Sequence, residues 1–347
     1  MLLTTVAIAT GLAACGGSGA GEGEVEATAA RTTIATGLQV PWGIAFLPGG
    51  DALVSERTTG RIIRIKRRTH RKRVVMRVPG VDTDAGEGGL LGLAVSPRYK
   101  RDRLVYAYFT SGSDNRIVRF RLGGKPKTVL AGLESSFVHN GGRITFGPDG
   151  KLYAGVGDAG DTGNAQSRSS QNGKILRMNP DGSVPGDNPF PGSRVWSLGH
   201  RNVQGLAFDR SRRLWASEFG QDTFDEVNLI RKGRNYGWPV VEGKGDTRGG
   251  RYTNPKVTWS TDEASPSGAA IARGNLYVGA LQCECVWRVP LRGPNTGRPR
   301  KLLSGYGRVR TVVRAPDGAL WIATSNRDGR GSPRDGDDRI VRVKLGG

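Results

Sequence analysis

The run Phe146-Gly147-Pro148-Asp149-Gly150-Lys151-Leu152-Tyr153 decides the architecture. Proline presets φ for a turn, aspartate can bond its own backbone, and glycine accepts a positive φ. Pro-Asp-Gly therefore reverses the chain between an apolar strand ending at Phe146 and a second one beginning at Leu152. The phrase recurs along the sequence. It returns as Pro48-Gly49-Gly50-Asp51-Ala52-Leu53-Val54, as Pro97 to Leu104-Val105-Tyr106, and as Asp209 to Leu214-Trp215-Ala216. Two further copies are Gly274-Asn275-Leu276-Tyr277-Val278 and Pro316-Asp317-Gly318-Ala319-Leu320-Trp321.

Each copy is followed by a strand with polar or charged and apolar residues in alternation: Arg61–Ile65, Arg116–Phe120, Lys174–Met178, Glu226–Leu229, Val286–Val289 and Arg339–Val343. Period-two alternation marks strands buried on one face. A self-similar unit of about 45–60 residues is the signature of a β-propeller. The expected fold is all-β, a six-bladed β-propeller of four-stranded antiparallel blades. The sixth repeat runs out at Leu345 after its third strand, while a spare strand, Thr32–Thr36, precedes the first. That N-terminal strand is expected to close the ring as the outer strand of the last blade, removing an open edge. The longer stretches Asp158–Asn172 and Asn235–Thr258 read as loops over one mouth of the ring.

Composition narrows the class. The 347 residues include 54 glycines, and the formal net charge is +21. Such a charge can draw anionic partners, but no basic helix or aromatic-basic pattern accompanies it. It reads as a solvated basic face, and nucleic acid is not an expected partner. Lys66-Arg67-Arg68 and Arg71-Lys72-Arg73 flank a turn and read as an exposed hairpin tip.

The N-terminus reads as an export signal. Leu2–Ala14 is apolar and small, too short to span a bilayer, and ends in Leu12-Ala13-Ala14-Cys15, which looks like a bacterial lipobox. No Lys or Arg precedes the apolar run, a departure from that pattern. The expected organisation is a signal over 1–14, a flexible tether over 15–30 beginning at a lipidated Cys15, and the propeller over 31–347. The protein would then sit on the extracytoplasmic side, held to the membrane through its lipid anchor only. Cys283 and Cys285 read as structural. Export permits a disulfide, but a bridge between such close neighbours on one strand would be strained.

Chemistry-bearing residues cluster at the blade entrances. His139 stands in Val138-His139-Asn140-Gly141-Gly142-Arg143, just before a strand. It can serve as a base near neutral pH or as a hydrogen-bonded structural histidine. Arg201, Arg308 and Arg310 would give a cationic cluster at the axis, and Arg308 and Arg310 at i, i+2 of a strand point the same way. They suit a multiply carboxylated ligand or ion pairs with structural acids. Asp225, Glu226 and the backbone near Gly220 offer hard oxygens for calcium, or cap turns.

These motifs together resemble the soluble aldose sugar dehydrogenase and glucose–sorbosone dehydrogenase family, from about Gln39 to Val343. The resemblance is carried by Gly86-Glu87-Gly88-Gly89-Leu90-Leu91, His139 with Gly142, Gly199 to Gly205, Asp225-Glu226-Val227-Asn228 and Asn235-Tyr236-Gly237-Trp238-Pro239. It implies a six-bladed propeller using pyrroloquinoline quinone (PQQ) and calcium to oxidise aldose sugars to lactones, with electrons passed to an acceptor the sequence does not identify. It makes His139 the base, Arg201 and Asn202 cofactor contacts, and Arg308 and Arg310 the carboxylate clamp. Gly220 and Gln221 would hold calcium through backbone carbonyls, and Glu226 and Tyr236 belong to a second calcium site. Three positions depart from the family pattern: Glu87 replaces a glutamine, Gln221 a proline and Gln282 a lysine. Glu87 and Gln282 both make the pocket less cationic, which favours a rival reading: a cofactor-free propeller that binds carbohydrate or cell-wall polymer. A calcium-dependent lactonase is the third.

Overall fold

The computed structural model describes residues 30–346; the signal, Cys15 and nearly all of the tether lie outside the described residues. Six four-stranded antiparallel sheets surround one axis. Blade 1 comprises Pro41–Phe46, Ala52–Glu56, Arg61–Ile65 and Lys72–Arg77, and blade 2 comprises Leu90–Val95, Val105–Thr110, Asn115–Phe120 and Lys127–Leu133. Blade 3 is Ile144–Phe146, Leu152–Val156, Lys174–Met178 and Val195–Leu198; blade 4 is Val203–Phe208, Leu214–Glu218, Phe224–Ile230 and Val257–Ser260. Blade 5 is Pro266–Ala272, Asn275–Ala280, Cys285–Pro290 and Arg300–Ser304. Blade 6 takes Val309–Arg314, Leu320–Thr324 and Ile340–Val343 from the C-terminus and Arg31–Ala35 from the N-terminus. Arg31 pairs with Val343 and Thr33 with Val341, so the ring closes as the repeat pattern requires.

Alternation along the strands gives each blade two apolar faces. Six buried clusters result, one at each blade–blade interface. At the closing interface Trp321 meets Phe46 edge-on, with ring centroids 5.0 Å apart. Burying such side chains contributes roughly 1.5–3 kcal/mol each. The inner strands crowd at the axis: a Cβ on Gly92 would lie 2.2 Å from the carbonyl oxygen of Gly142. Five of the six inner strands slip register near the pocket end, between Pro41/Ile44, Leu90/Leu93, Val203/Gly205, Pro266/Ala269 and Val309/Thr311. Such bulges re-aim side chains, and here they bring Gln204 and Arg310 together across the channel.

Cys283 and Cys285, read from sequence as structural, are disulfide-bonded, a state the sequence left open. They are not two positions on one strand. Cys283 lies in the turn before Cys285–Pro290, and Glu284 between them adopts φ 52°, so the chain folds back and the Cα atoms come within 5.1 Å. Among the described residues no helix is long and apolar enough to cross a membrane.

Candidate active site

Inner strands start at one mouth of the channel, and second strands return to it, so the blade-entrance loops and the second-strand ends share that face. His139 sits there with its backbone at φ 56°, in the left-handed region. Its N–H donates to Glu87 Oε2 at 3.1 Å. The loop packs against Gly157, where a Cβ would fall 1.8 Å from the His139 carbonyl oxygen. The imidazole Nδ1 is 2.7 Å from Asp158 Oδ1. Asp158 is fully buried, and its carboxylate also accepts from the Trp238 indole N–H (2.8 Å) and the Gly160 N–H (2.9 Å). Burial alone would raise its pKa, but the bonds from His139, Gly160 and Trp238 outweigh that and hold it below the ordinary carboxylate range. An ionised Asp158 keeps the proton on Nδ1, so Nε2 is the nitrogen that can accept one.

Beside His139 lies a cavity of about 260 Å³ lined by Arg57, Glu87, Phe137, Phe219, Leu281, Arg308, Arg310, Asp328 and Arg330, with Gly86 and Gly329. Arg57, Arg308 and Arg310 are buried around one carboxylate, Asp328, whose side chain is 3% exposed. Arg308 Nε donates to Asp328 Oδ2 at 3.0 Å, and Arg310 Nη2 stands 3.8 Å from the same oxygen. Desolvation would push Asp328 up, yet the guanidiniums of Arg310 and Arg308 hold it down. Arg310 is pushed down to about 9 by burial and by neighbouring Arg57 and Arg308, against the pull of Asp328. At this mouth three buried donors have no partner among the described residues: Arg57 Nε, Arg310 Nε and Asn202 Nδ2. Buried polar groups are normally satisfied. These orphaned donors, with guanidiniums outnumbering carboxylates, fit an anion with several acceptor oxygens. A second cavity, about 320 Å³, opens at the other end of the channel among Phe46, Ala94, Phe146 and Val313; Arg143 and Arg314 line it, but no Asp, Glu or His does. Buried Arg143 stands between the two, held by the Gln204 carbonyl at 2.8 Å and over the Trp42 ring at 4.1 Å.

Arg201 closes the pocket on the side of the 219–224 turn. Its Nε donates to Gln221 Oε1 at 3.0 Å, Nη2 reaches the same oxygen, and the guanidinium lies 5.4 Å from the Trp238 ring centre. Asn202 Oδ1 accepts from the Gly141 N–H (3.2 Å) and from Gln204 (2.9 Å), tying this strand to the histidine loop. The N–H groups of Gln221, Asp222, Thr223 and Phe224 all converge on Glu242 Oε1 at 2.7–3.2 Å. Among the described residues the carbonyls of Gly220 and Gln221 accept no hydrogen bond, so they remain available to a cation.

The other expected metal residues do not form one group. Asp225 and Glu226 are successive strand residues and face opposite ways. Asp225 accepts from the Gly220 and Ser265 N–H groups at 3.0 and 2.7 Å, and burial pushes its carboxyl up to about 7. Glu226 accepts from the Gly243 N–H and from Asn228, and is raised by burial and by nearby Glu218. The Tyr236 hydroxyl bridges the Leu229 carbonyl and the Arg231 N–H, and its ring stacks on His200 at 4.9 Å. Among the described residues no three His, Cys, Asp or Glu side chains converge as for a metal. Gln282 is exposed and lies outside the cavity lining, where Leu281 stands instead.

Sequence reasoning missed Arg57, Asp158, Trp238, Asp328 and Arg330 as site residues. A signal existed: Arg57, Asp158, Phe219 and Asp328 each lie one to four residues beyond a blade's second strand, on the pocket face. Aligning the repeats on that strand end finds them. Glu87 also takes a different meaning from the one its charge suggested. It is paired with Arg330 Nη1 at 3.1 Å while bonding the His139 N–H, so its negative charge is compensated.

The family described as Glucose / Sorbosone dehydrogenase matches residues 38–338. The PQQ-bound form of an aldose sugar dehydrogenase from Streptomyces coelicolor superposes with a TM-score of 0.86 at 54% identity, covering 91% of this chain and 98% of that one. Quinoprotein glucose dehydrogenase B of Acinetobacter calcoaceticus is 35% identical over 285 residues, 70% of this chain and 60% of the relative. Aldose sugar dehydrogenase YliI of Escherichia coli is 28% identical over 332 residues, 84% of this chain and 89% of the relative.

Proposed function

Because the chain belongs to the glucose/sorbosone dehydrogenase family, we propose that it oxidises aldose sugars at the anomeric carbon with PQQ and calcium. The observation that carries this reading is the pairing of a carboxylate-oriented histidine with a pocket of buried, unpartnered cationic donors. Arg57, Arg308, Arg310 and Asn202 would hold the carboxylates and carbonyls of PQQ, Arg201 would lie against the quinone, and the Gly220 and Gln221 carbonyls would take calcium. Bound there, PQQ supplies a two-electron acceptor that no protein side chain offers. His139 Nε2 would take the proton of the anomeric hydroxyl, the deprotonation that a two-electron oxidation of an aldose at C1 to its lactone requires. Asp158 offsets the imidazolium charge that develops. Phe137, Phe219 and Trp238 line the approach and reduce water at the reacting carbon. Turnover would need a separate acceptor to take the two electrons.

The test is direct. Metal-free protein is titrated with PQQ, with and without calcium, and dye reduction is followed with several aldoses. Calcium-dependent PQQ binding and sugar-dependent reduction are expected. A wild-type protein that binds no PQQ with calcium present would replace this reading with the cofactor-free binding module. We further propose export as a lipoprotein: mass spectrometry of protein from its native host should show a diacylglyceryl group on Cys15, and an unmodified Met1 terminus would rule it out.

A further inference from the structure

The net charge is not spread over the molecule. In blades 1 and 2 the connections on the face opposite the pocket span 47–51, 66–71, 96–104 and 121–126, and they carry ten Lys and Arg against two Asp. All ten basic side chains are exposed. Asp51 is already engaged by Arg64 and Lys66, and Asp102 by Ser96 and the Leu104 N–H. The pocket-side connections of the same blades, 57–60, 78–89, 111–114 and 134–143, carry five acidic residues against two arginines, Arg57 and Arg143, both buried. Strand polarity makes this separation: in blades 1 and 2 every inner strand runs from the pocket to the far face, so first-to-second and third-to-fourth turns emerge there.

The chain also enters the propeller on that face. Arg31 pairs with Val343 at the far end of blade 6, next to blade 1, and the Lys344 N–H donates to the Ala30 carbonyl. The described chain therefore begins, at Ala30, on the basic face. We propose that this face docks on an anionic phospholipid bilayer, with the pocket turned away from the membrane. The basic residues stand in separate short turns across a broad ring face, not along a groove. The one aromatic among these segments, Tyr99, is buried, so no stacking platform for nucleic-acid bases is present. Polybasic surfaces beside a membrane attachment point draw anionic leaflets in this way. The proposal goes beyond the anchor expected from sequence and does not depend on the dehydrogenase reading.

The experiment uses the full chain with Cys15→Ser, which removes the acylation site. It is sedimented with vesicles of phosphatidylcholine, or of phosphatidylcholine with phosphatidylglycerol. Binding to the anionic vesicles alone is expected, with release when salt shortens the Debye length to about 3 Å. Each basic residue near an anionic leaflet strengthens partitioning by about fivefold. The variant with Arg68, Arg98, Lys100, Arg101 and Lys125 all changed to Gln should therefore bind at least about a hundredfold more weakly. A control with Lys244, Arg248 and Arg251 changed to Gln, in a connection on the pocket side, should bind like wild type. Melting curves establish that both variants are folded. Equal binding to neutral vesicles, equal losses in the two variants, or tighter binding to duplex DNA than to anionic vesicles at the same salt would each overturn the proposal.

Discussion

His139 Nδ1 lies 2.7 Å from Asp158 Oδ1, and Asp158 is fixed in turn by the Trp238 indole and the Gly160 amide. Nineteen residues separate the pair, yet the turn of blade 3 stacks one over the other. Asp158→Asn should keep the shape and lose the charge that holds the imidazole. Turnover with PQQ bound should fall by about a hundredfold or more, the scale of a lost general base, while PQQ affinity stays within a few-fold. The pH profile of kcat should also shift, which a merely structural role would not produce; an unchanged profile with full turnover would remove Asp158 from this role.

His139→Ala and Arg308→Ala should fail differently. The first should leave cofactor binding largely intact and cut turnover by about a hundredfold or more. The second removes a guanidinium from Asp328 and from the pocket, so the main loss should be in PQQ affinity. Calorimetric titration alongside single-turnover kinetics separates the two. Matching defects in both variants would mean that base and clamp have been misassigned.

Glu87→Gln restores the residue usual in the family and keeps an oxygen to accept the His139 N–H. It also frees Arg330 from its ion pair. PQQ should bind a few-fold more tightly at low salt, with the difference shrinking as salt rises, because a partly exposed pair is worth about 0–1 kcal/mol. Titrations at two ionic strengths check this. Weaker binding at both would show that the Glu87 charge supports the pocket.

Lys174 is fully buried, with Nζ donating to the carbonyls of Asn164 (2.5 Å), Ala165 (3.1 Å) and Asn172 (2.8 Å). It ties down the loop that follows Asp158. Lys174→Met leaves these carbonyls unpaired and should destabilise by about 3 kcal/mol, roughly 1–3 kcal/mol being lost per buried group. Burial pushes the amine down to about 7 from its ordinary 10.5. A lowered amine pKa means the unfolded chain binds more protons between these values, so this group's contribution rises with pH across that window and is least below about 7. The stability gap between wild type and Lys174→Met should widen from pH 7 to 9. Denaturant melts at several pH values measure it, and a flat gap would mean an unshifted amine.

Much of the architecture was legible because it is local. Strand alternation, Pro-Asp-Gly turns and the missing sixth outer strand are all carried by short stretches, and they specify six blades and an N-terminal closure. His139 and the Arg308/Arg310 pair were also visible, since a histidine before paired glycines and an i, i+2 spacing are sequence facts. Ring closure supplied the rest. It brings Arg57 within reach of the Asp328 carbonyl across 271 residues and gives Glu87 a partner in Arg330 that no local pattern announces. Strand alternation turns Asp225 and Glu226 to different neighbours, although they are adjacent in sequence. Charge behaves the same way. The sequence determined the excess of arginine and lysine, but only the up-and-down strand polarity of the blades decided that it gathers on the face opposite the pocket, because side chains far apart along the chain meet wherever the ring's axis and faces place them.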